Sequence, residues 1–489
     1  MTEGGYLTIE KPFPGQYHHI GKTHTRLHQS VATSLRPSPV AGITGPITKA
    51  PAKLIPFHNG QEIIDPFAIA QKKATTANCY IEPSALAAAV NSTSQMINLY
   101  RSERDQQVMT FREAISGVEN DEWYPPINRS TSPGFGWIKS GKGKTKWLGT
   151  DDYVYDHPEL LSKYHEAVDR LQHGNRVGSY WSDTLKDELR PIEKVLAGKT
   201  RLFAAGEMVQ TILLRQYFGG FAAHLARNRI HMESCVGINP YSSEWTDLAF
   251  RMQTHGKPVV AGDFTNYDGS LTADSLWAAK EVIDSFYNDG KRNNDIRSLL
   301  WCEIVNSVHV HGNDVYQWSH SQPSGCPITS ILNSLVHSII VRVVYTLCAR
   351  KYRPELQSLD NFDKFVALAC YGDDDLLNIS PEIVNWFNQE TMTEAFASFG
   401  MTYTDELKTG KMVPFKSLDT VQFLKRKFVW CSEEARYRAP LSLETIQEMA
   451  SWVRKGDEWA LSAQTIEMAV YELSQHDQAT WERLIPLFL

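Results

Sequence analysis

The chain has 489 residues, 42% hydrophobic and 21% charged, an ordinary globular composition that excludes disorder along its length and leaves room for a large core. Its net charge of −7, from 49 Lys and Arg against 56 Asp and Glu, excludes a global positive field, so any hold on nucleic acid or an anionic membrane must come from local basic clusters. Seven scattered cysteines with no Cys-x-x-Cys pair fit neither a disulfide scaffold nor a structural zinc site and point to a reducing compartment.

Up to about Asp65 the chain carries Pro12, Pro14, Pro37, Pro39, Pro46, Pro51 and Pro56 among many Gly, Ser and Thr. Neither helix nor sheet can run far there, and an extended arm is expected. His18, His19, His24 and His28 lie in this arm without a ligand spacing typical of a metal site, so they read as packed or solvated histidines. The pattern turns helical between Tyr80 and Gly117. From Pro125 to Gly149 turn residues dominate, and Arg129, Lys139, Lys142, Lys144 and Lys146 form a local positive loop. Gly141 to Thr145 is like a phosphate-binding loop, but Ile138 stands where that loop needs a glycine and no apolar strand precedes it, so a P-loop ATPase is rejected. Lys186, Arg190, Lys194, Lys199 and Arg201 then crowd together, diluted by Asp187, Glu188 and Glu193. They form either a solvated surface hairpin or the wall of a channel that neutralises a triphosphate.

Pro258 to Phe264 reads as a buried strand that places Asp263 near its end, and a helical pattern follows from about Ser270 to Tyr287. Gln322 to Asn333 reads as a Ser-Gly loop entering a helix that runs to about Arg350, with Pro327 suited to its first turn. Thr329, Asn333 and His337 share one face of that helix, where they can bond neighbouring backbone or a ribose. The most apolar long stretch, Ser334 to Ala349, is broken by His337 and Arg342, so no membrane span is expected. The N-terminus has no basic region followed by an apolar run, so no secretory signal is expected either. Lys364 to Cys370 and Asp375 to Ile379 flank Tyr371-Gly-Asp-Asp374 as the strands of a hairpin with carboxylates at its tip. Crowded carboxylates beside apolar strands repel one another and lose hydration, which divalent cations or proton uptake can offset. Oxygen-only ligands favour Mg²⁺ or Mn²⁺, and two such ions can drive an in-line phosphoryl transfer. The plainer reading is a polar turn. Asp375 alternates with Asp373 and either joins the metal site or sits as a solvated spare; the spare is expected. At the C-terminus, Ile446, Met449, Ala450, Val453, then Ile466, Ala469, Val470, Leu473, then Trp481, Leu484, Ile485, Phe488 predict three amphipathic helices in a small subdomain.

Taken in order, these segments resemble the motif series of the RNA-dependent RNA polymerases of positive-strand RNA viruses, in particular the picornavirus-like group. Thr131-Ser132-Pro-Gly134-Phe-Gly136 is similar to the motif that admits the template, and Lys186 to Arg201 to the basic motif that admits NTPs. Asp263 to Asp268 matches the first palm motif. Ser324-Gly325 with Thr329 and Asn333 matches the ribose-sensing loop and helix, Tyr371 to Asp374 the metal-binding hairpin, and Phe423-Leu-Lys425-Arg426 the primer grip. The resemblance implies a mixed, helix-rich α+β fold shaped as a closed right hand. Its arm and fingers would occupy 1–225, the palm 226–270 and 319–427, a fingers insertion 271–318, and a short helical thumb 428–489. The arm would bridge fingertips and thumb and enclose the template channel.

The implied activity is RNA-directed RNA polymerisation by two-metal nucleotidyl transfer with Mg²⁺ or Mn²⁺. Asp263, Asp373 and Asp374 are the implied metal ligands and Lys408 the implied general acid. Lys186, Lys194 and Arg201 would face the triphosphate; Asp268, Ser324, Thr329 and Asn333 the ribose; and Thr131, Ser132, Gly134, Gly325, Lys425 and Arg426 the template and primer. A carboxylate-amide pair such as Asp268 and Asn333 can bond the 2′-hydroxyl that separates RNA from DNA precursors. A reverse transcriptase would typically carry an aromatic gate where Asp268 stands. A silent RNA-binding scaffold is the rival from another class, and the retained Asp263, Asp373, Asp374 and Arg201 argue against it. Implied partners are an RNA template and primer, NTPs, other viral replication proteins and, where initiation is protein-primed, a genome-linked protein. The implied location is the host cytoplasm, at membrane-associated replication complexes reached through partner proteins.

Overall fold

The computed structural model of the chain describes residues 17–74, 76–137, 143–410 and 412–489. Pro12, Pro14, Lys139, Lys142 and the start of the Gly141 to Thr145 run lie outside the described residues. The fold is α+β, organised on a four-stranded antiparallel sheet in the order Val366–Tyr371, Asp374–Ile379, Val259–Thr265, Thr402–Asp405. The strand Val366–Tyr371 and the first half of Val259–Thr265 are near-continuous apolar runs because both faces of the sheet are covered there. With side chains alternating across the sheet, Val260, Phe264, Leu368, Leu377 and Ile379 join the main core. Val259, Ala261, Ala367, Ala369 and Leu376 join a second core with Trp245, Leu248, Phe423 and Phe428.

The main core is built around the helix Thr329–Tyr352. It is long and apolar enough to cross a membrane by length and composition, yet 94% of its most apolar window is buried in the protein. Residues 271–318 supply the helices Ala273–Tyr287 and Lys291–Val305 and then two strands. Those strands, Val308–His311 and Asp314–Gln317, sit in a five-stranded sheet with His18–Lys22, Trp181–Leu185 and Leu202–Ala205. The helix expected from Ser270 begins at Ala273, where the Thr272 hydroxyl accepts from Ser275 N at 3.1 Å. The helical stretch expected over Tyr80 to Gly117 is two helices, Pro83–Ile97 and Phe111–Ser116, the second opened by a Thr110–Glu113 capping box.

The Pro-rich arm is extended and pairs at both ends. Its strand Leu35–Pro37 adds to Trp452–Arg454 near the C-terminus, and Lys49–Pro51 adds to Leu189–Pro191 in the basic hairpin. Between the two, Glu448 accepts from Thr48 N and Lys49 N, both at 2.7 Å. This pairing explains one departure from the sequence expectation. The first C-terminal helix stops at Met449, and Val453 lies in a strand; its apolar side chain is buried against the arm rather than along the helix face. Ile446, Ala469, Leu473, Leu484 and Phe488 form the small core of the C-terminal helices.

Candidate active site

Two strand ends and one turn gather the carboxylates. Asp375 pairs with Gly262 across the sheet, so continuing that register by one residue sets Asp374 against Asp263. The turn reverses at Gly372, whose φ of +66° is open to glycine and costly for side-chain-bearing residues. Asp374 is pushed up to about 7 by burial and then by the charges of Asp373, Asp263 and Asp375. Burial also raises Asp263, against the pull of Lys408, whose Nζ lies 2.7 Å from Asp263 Oδ2. Lys408 is thereby the counter-ion of the first palm carboxylate.

Asp375 departs from expectation. It is 1% exposed and accepts from Gly262 N at 2.8 Å, from Tyr403 OH at 2.9 Å and from His337 Nε2 at 2.8 Å. Counting alternation from Asp373 fails because Asp373 belongs to the turn. Within the strand, Asp375 shares its face with Leu377 and Ile379 and points into the main core.

The ribose-sensing candidates split into two kinds. Asn333 Nδ2 donates to Asp268 Oδ1 at 2.7 Å, and Tyr267 OH donates to the Asn333 carbonyl at 3.0 Å. Burial raises the Asp268 carboxyl, and Lys186 and Arg201 are among the charges that oppose this. Asn333 Oδ1 is buried with no hydrogen-bond partner among the described residues, leaving an acceptor free beside the pair. Thr329, by contrast, spends its hydroxyl on the Cys326 carbonyl at 2.8 Å, in the turn that starts the helix. Ser324 offers its carbonyl to the same hydroxyl at 3.3 Å. Gly325 bridges to Ala205, and a Cβ there would sit 2.2 Å from the Ala204 carbonyl, so this loop can lie against the strand Leu202–Ala205 only with glycine.

The basic hairpin is less free than its sequence suggests. The Arg201 guanidinium grips Glu188 through both Nε and Nη2, although Asp373 and Asp268 are among the charges it feels. Lys186 lies over the Phe203 ring, 5.4 Å from its centroid. Lys194 sits in the short helix Ile192–Leu196. Sequence reasoning missed Lys73, at the end of the helix Pro66–Ala74. Burial lowers its ammonium, helped by the nearby charges of Lys199, Arg190, Lys194 and Lys408. The Lys72-Lys73 pair carries no distinguishing spacing, and only the fold brings Lys73 to this cluster.

The expected template and primer contacts are partly structural. Lys144 Nζ donates to the hydroxyl and the carbonyl of Thr131, and burial pushes the amine down to about 8. Ser132 accepts from Gly134 N at 3.2 Å. Arg129 is spent on the carbonyls of Gly149 and Asp152. The expected positive loop therefore turns two of its cations, Arg129 and Lys144, inward. Lys425 stands in the two-residue turn between Gln422–Phe423 and Arg426–Lys427, at φ +63° beside Leu424 at +53°, and its charge reaches Asp374. Such φ values in residues with side chains store strain, which clusters at functional sites. Arg426 turns the other way. It bonds Glu472 at 2.7 and 2.9 Å, the Ala439 carbonyl at 2.8 Å and Tyr241 OH at 3.0 Å, bolting the sheet region to the C-terminal helices rather than reaching for a primer.

The carboxylates fit a hard divalent cation: their donors are all oxygens, and their mutual repulsion already favours positive charge between them. No ready-made group of three ligating side chains exists among the described residues, and Asp263 is engaged by Lys408.

A carboxylate-bearing antiparallel sheet backed by helices, an amide-carboxylate pair beside it and an arm joining the basic hairpin to the C-terminal helices define a right-hand polymerase fold. Residues 47–489 match the family described as "Viral RNA-dependent RNA polymerase", and the chain belongs to that family. It is 38% identical over 96% of its length to the replicase polyprotein of Drosophila C virus (strain EB). It is 39% identical over 96% of its length to that of Cricket paralysis virus. It spans 28% of each of these relatives. Its fold matches a solved Sicinivirus 3Dpol RNA dependent RNA polymerase with a TM-score of 0.81 at 23% identity, covering 97% of this chain and 94% of the other.

Proposed function

We propose that this chain is the RNA-directed RNA polymerase of a picornavirus-like positive-strand virus and joins ribonucleotides by two-metal nucleotidyl transfer. One observation carries the reading: Asp263 and the Asp373-Asp374 turn converge, with Asp374 pushed up to about 7 by burial and by its neighbours' charges, within electrostatic reach of the Asp268–Asn333 pair. Mg²⁺ or Mn²⁺ held by Asp263, Asp373 and Asp374 would supply charge neutralisation and an activated primer 3′-hydroxyl.

The chain's own residues do the rest. Asp268 and Asn333 bond the ribose 2′-hydroxyl, and the free Asn333 Oδ1 accepts from it. Lys186, Lys194, Arg201 and Lys73 neutralise the triphosphate, and positioning supplies most of the rate. Lys408, 46% exposed and paired with Asp263, is the proposed proton donor to the leaving pyrophosphate. Lys425, whose charge reaches Asp374, would contact the primer. Partners cut from the same polyprotein would bring the enzyme to membrane-associated replication complexes in the host cytoplasm, where its seven free cysteines stay reduced.

The test is extension of a primed RNA template with Mg²⁺, with and without EDTA, by the wild type and by Asp373→Asn. Extension that needs the cation and falls at least a thousandfold in the variant, with template binding intact, supports the reading. Near-normal extension by Asp373→Asn removes the metal assignment.

A further inference from the structure

The carboxylate-bearing turn is held from behind by a polar cluster that the reaction as described does not use. His337 is fully buried. Its Nδ1 lies 2.9 Å from the Gly372 carbonyl and its Nε2 lies 2.8 Å from Asp375 Oδ2. A carbonyl can only accept, so Nδ1 carries a proton. Nε2 meets Asp375, which also accepts from Gly262 N and Tyr403 OH. The result is a buried ring bonded at both nitrogens, boxed by the rings of Phe264 at 5.1 Å and Tyr267 at 5.8 Å. Burial disfavours a charged ring, but the bond and the charge of Asp375 outweigh it and raise the imidazole.

The same helix face holds the turn a second time. Ser334 Oγ accepts from Gly372 N at 2.9 Å, so both backbone polar groups of Gly372 are bonded to the helix Thr329–Tyr352. Space for the cluster is built in, because a Cβ on Gly262 would lie 2.1 Å from the Tyr403 ring. A core position filled by a polar pair is costly unless every partner is satisfied. Apolar side chains would pack here more cheaply, and in exchange the cluster fixes direction: a hydrogen-bonded Gly372 carbonyl cannot rotate the turn that presents Asp373 and Asp374.

We infer that His337, with Asp375 and Tyr403 behind it, is a positioning residue that locks the Gly372 turn to the helix carrying Asn333, so that the metal-holding carboxylates and the ribose check share one rigid frame. The inference rests on the polymerase reading. Asn333 and His337 are four residues apart on one helix face, about 6 Å along the axis, and neither can shift without the other.

The experiment uses the full chain on a primed RNA template with Mg²⁺ and compares wild type, Asp373→Asn, Asp375→Asn and the double variant His337→Phe/Asp375→Leu. The double variant replaces the pair with apolar bulk and leaves no buried charge unpaired. Asp375→Asn is the near-isosteric second arm should the double variant not fold. Expected are template affinity and NTP KM within twofold of wild type, and kcat lowered at least tenfold, in whichever arm folds. In addition, ¹⁵N spectra of the labelled wild type should show His337 Nδ1 protonated at pH 7.5, as its bond to the Gly372 carbonyl requires. A kcat within twofold of wild type, or a His337 Nδ1 without its proton in the wild type, overturns the inference. Failure of the polymerase reading looks different: the wild type does not extend, or Asp373→Asn does.

Discussion

Glu448 is the point at which the arm is most sharply held, and its loss has a calculable effect. The carboxylate is 5% exposed and takes Thr48 N and Lys49 N at 2.7 Å, Thr48 Oγ1 at 2.8 Å and Lys49 Nζ at 3.2 Å. Glu448→Ala leaves two backbone amides and a hydroxyl without their acceptor, each costing about 1–3 kcal/mol when it stays buried. Water reaches part of the gap, so a total of about 3–5 kcal/mol, as for breaking a buried charge pair, is the expected loss of hold between arm and C-terminal helices. Since about 1.4 kcal/mol is a factor of ten, even the lower bound shifts the balance between closed and open arm by roughly a hundredfold. If the closed arm retains the template, preformed enzyme–RNA complexes challenged with heparin should dissociate at least tenfold faster than wild type. Protease cleavage between about residues 38 and 52 should accelerate in parallel. The rate of a single nucleotide addition should stay within twofold, because no active-site contact is touched. Complex lifetime and cleavage both within twofold of wild type would refute the claim that this carboxylate closes the ring. Burial raises the Glu448 carboxyl, but its hydrogen bonds outweigh that and hold it below its ordinary value of 4.5. The stabilisation is therefore fully present above pH 4.5 and lost only as pH falls through the lower, folded value, so complex lifetime should not vary between pH 6 and 8 through this group.

Two further outcomes follow from the site. Asn333→Ala removes the 2.7 Å bond to Asp268 and should lower the preference for NTP over dNTP about 10- to 100-fold, read as the ratio of kcat/KM values; an unchanged ratio would end the ribose role. Asp374, raised from 3.8 to about 7, holds a proton that a cation must displace. Without cation the folded protein should be relatively more stable at pH 5 than at pH 8, the contribution fading as pH rises from 3.8 through about 7. Mg²⁺ affinity, followed by thermal shift, should rise from pH 6 to 7 and then level off. Asp374→Asn should remove that pH dependence, and a flat profile in the wild type would contradict the shared carboxylate site.

The residues legible in the sequence are those whose position follows from local periodicity. Asp263 ends an apolar strand and Asp373 sits in a Gly-Asp turn between two more, so their presence at one sheet end needed only the pairing of strands. The Asp268–Asn333 pair came from family resemblance, and its 2.7 Å contact is a matter of geometry. Missed were the residues whose partners are hundreds of positions away. Glu448 meets the arm 400 residues earlier in the chain, and Lys73 joins cations of the Leu189–Arg201 region only after folding. Val453 reads as a helix position because an i, i+7 apolar residue is indistinguishable from one that a distant edge strand recruits. Arg201 and Arg426 read as free cations because nothing local shows that Glu188 and Glu472 claim them.

Asp375 shows why the catalytic turn tolerates such crowding. Three successive carboxylates at one strand start would repel one another if they shared a face, but the turn separates Asp373, and the pleat sends Asp374 and Asp375 to opposite sides. Asp374 keeps the repulsion and is raised to about 7. Asp375 is bonded by His337, Tyr403 and the Gly262 amide. The carboxylates proposed to hold cations and the carboxylate that holds the backbone are therefore on different faces of one strand, and each can be altered while leaving the other in place. Its bonds to His337, Tyr403 and the Gly262 amide keep Asp375 on the core side, away from Asp374 and Asp263. The geometry that makes the site reactive is set in the core, by a helix that never meets the substrate over most of its length.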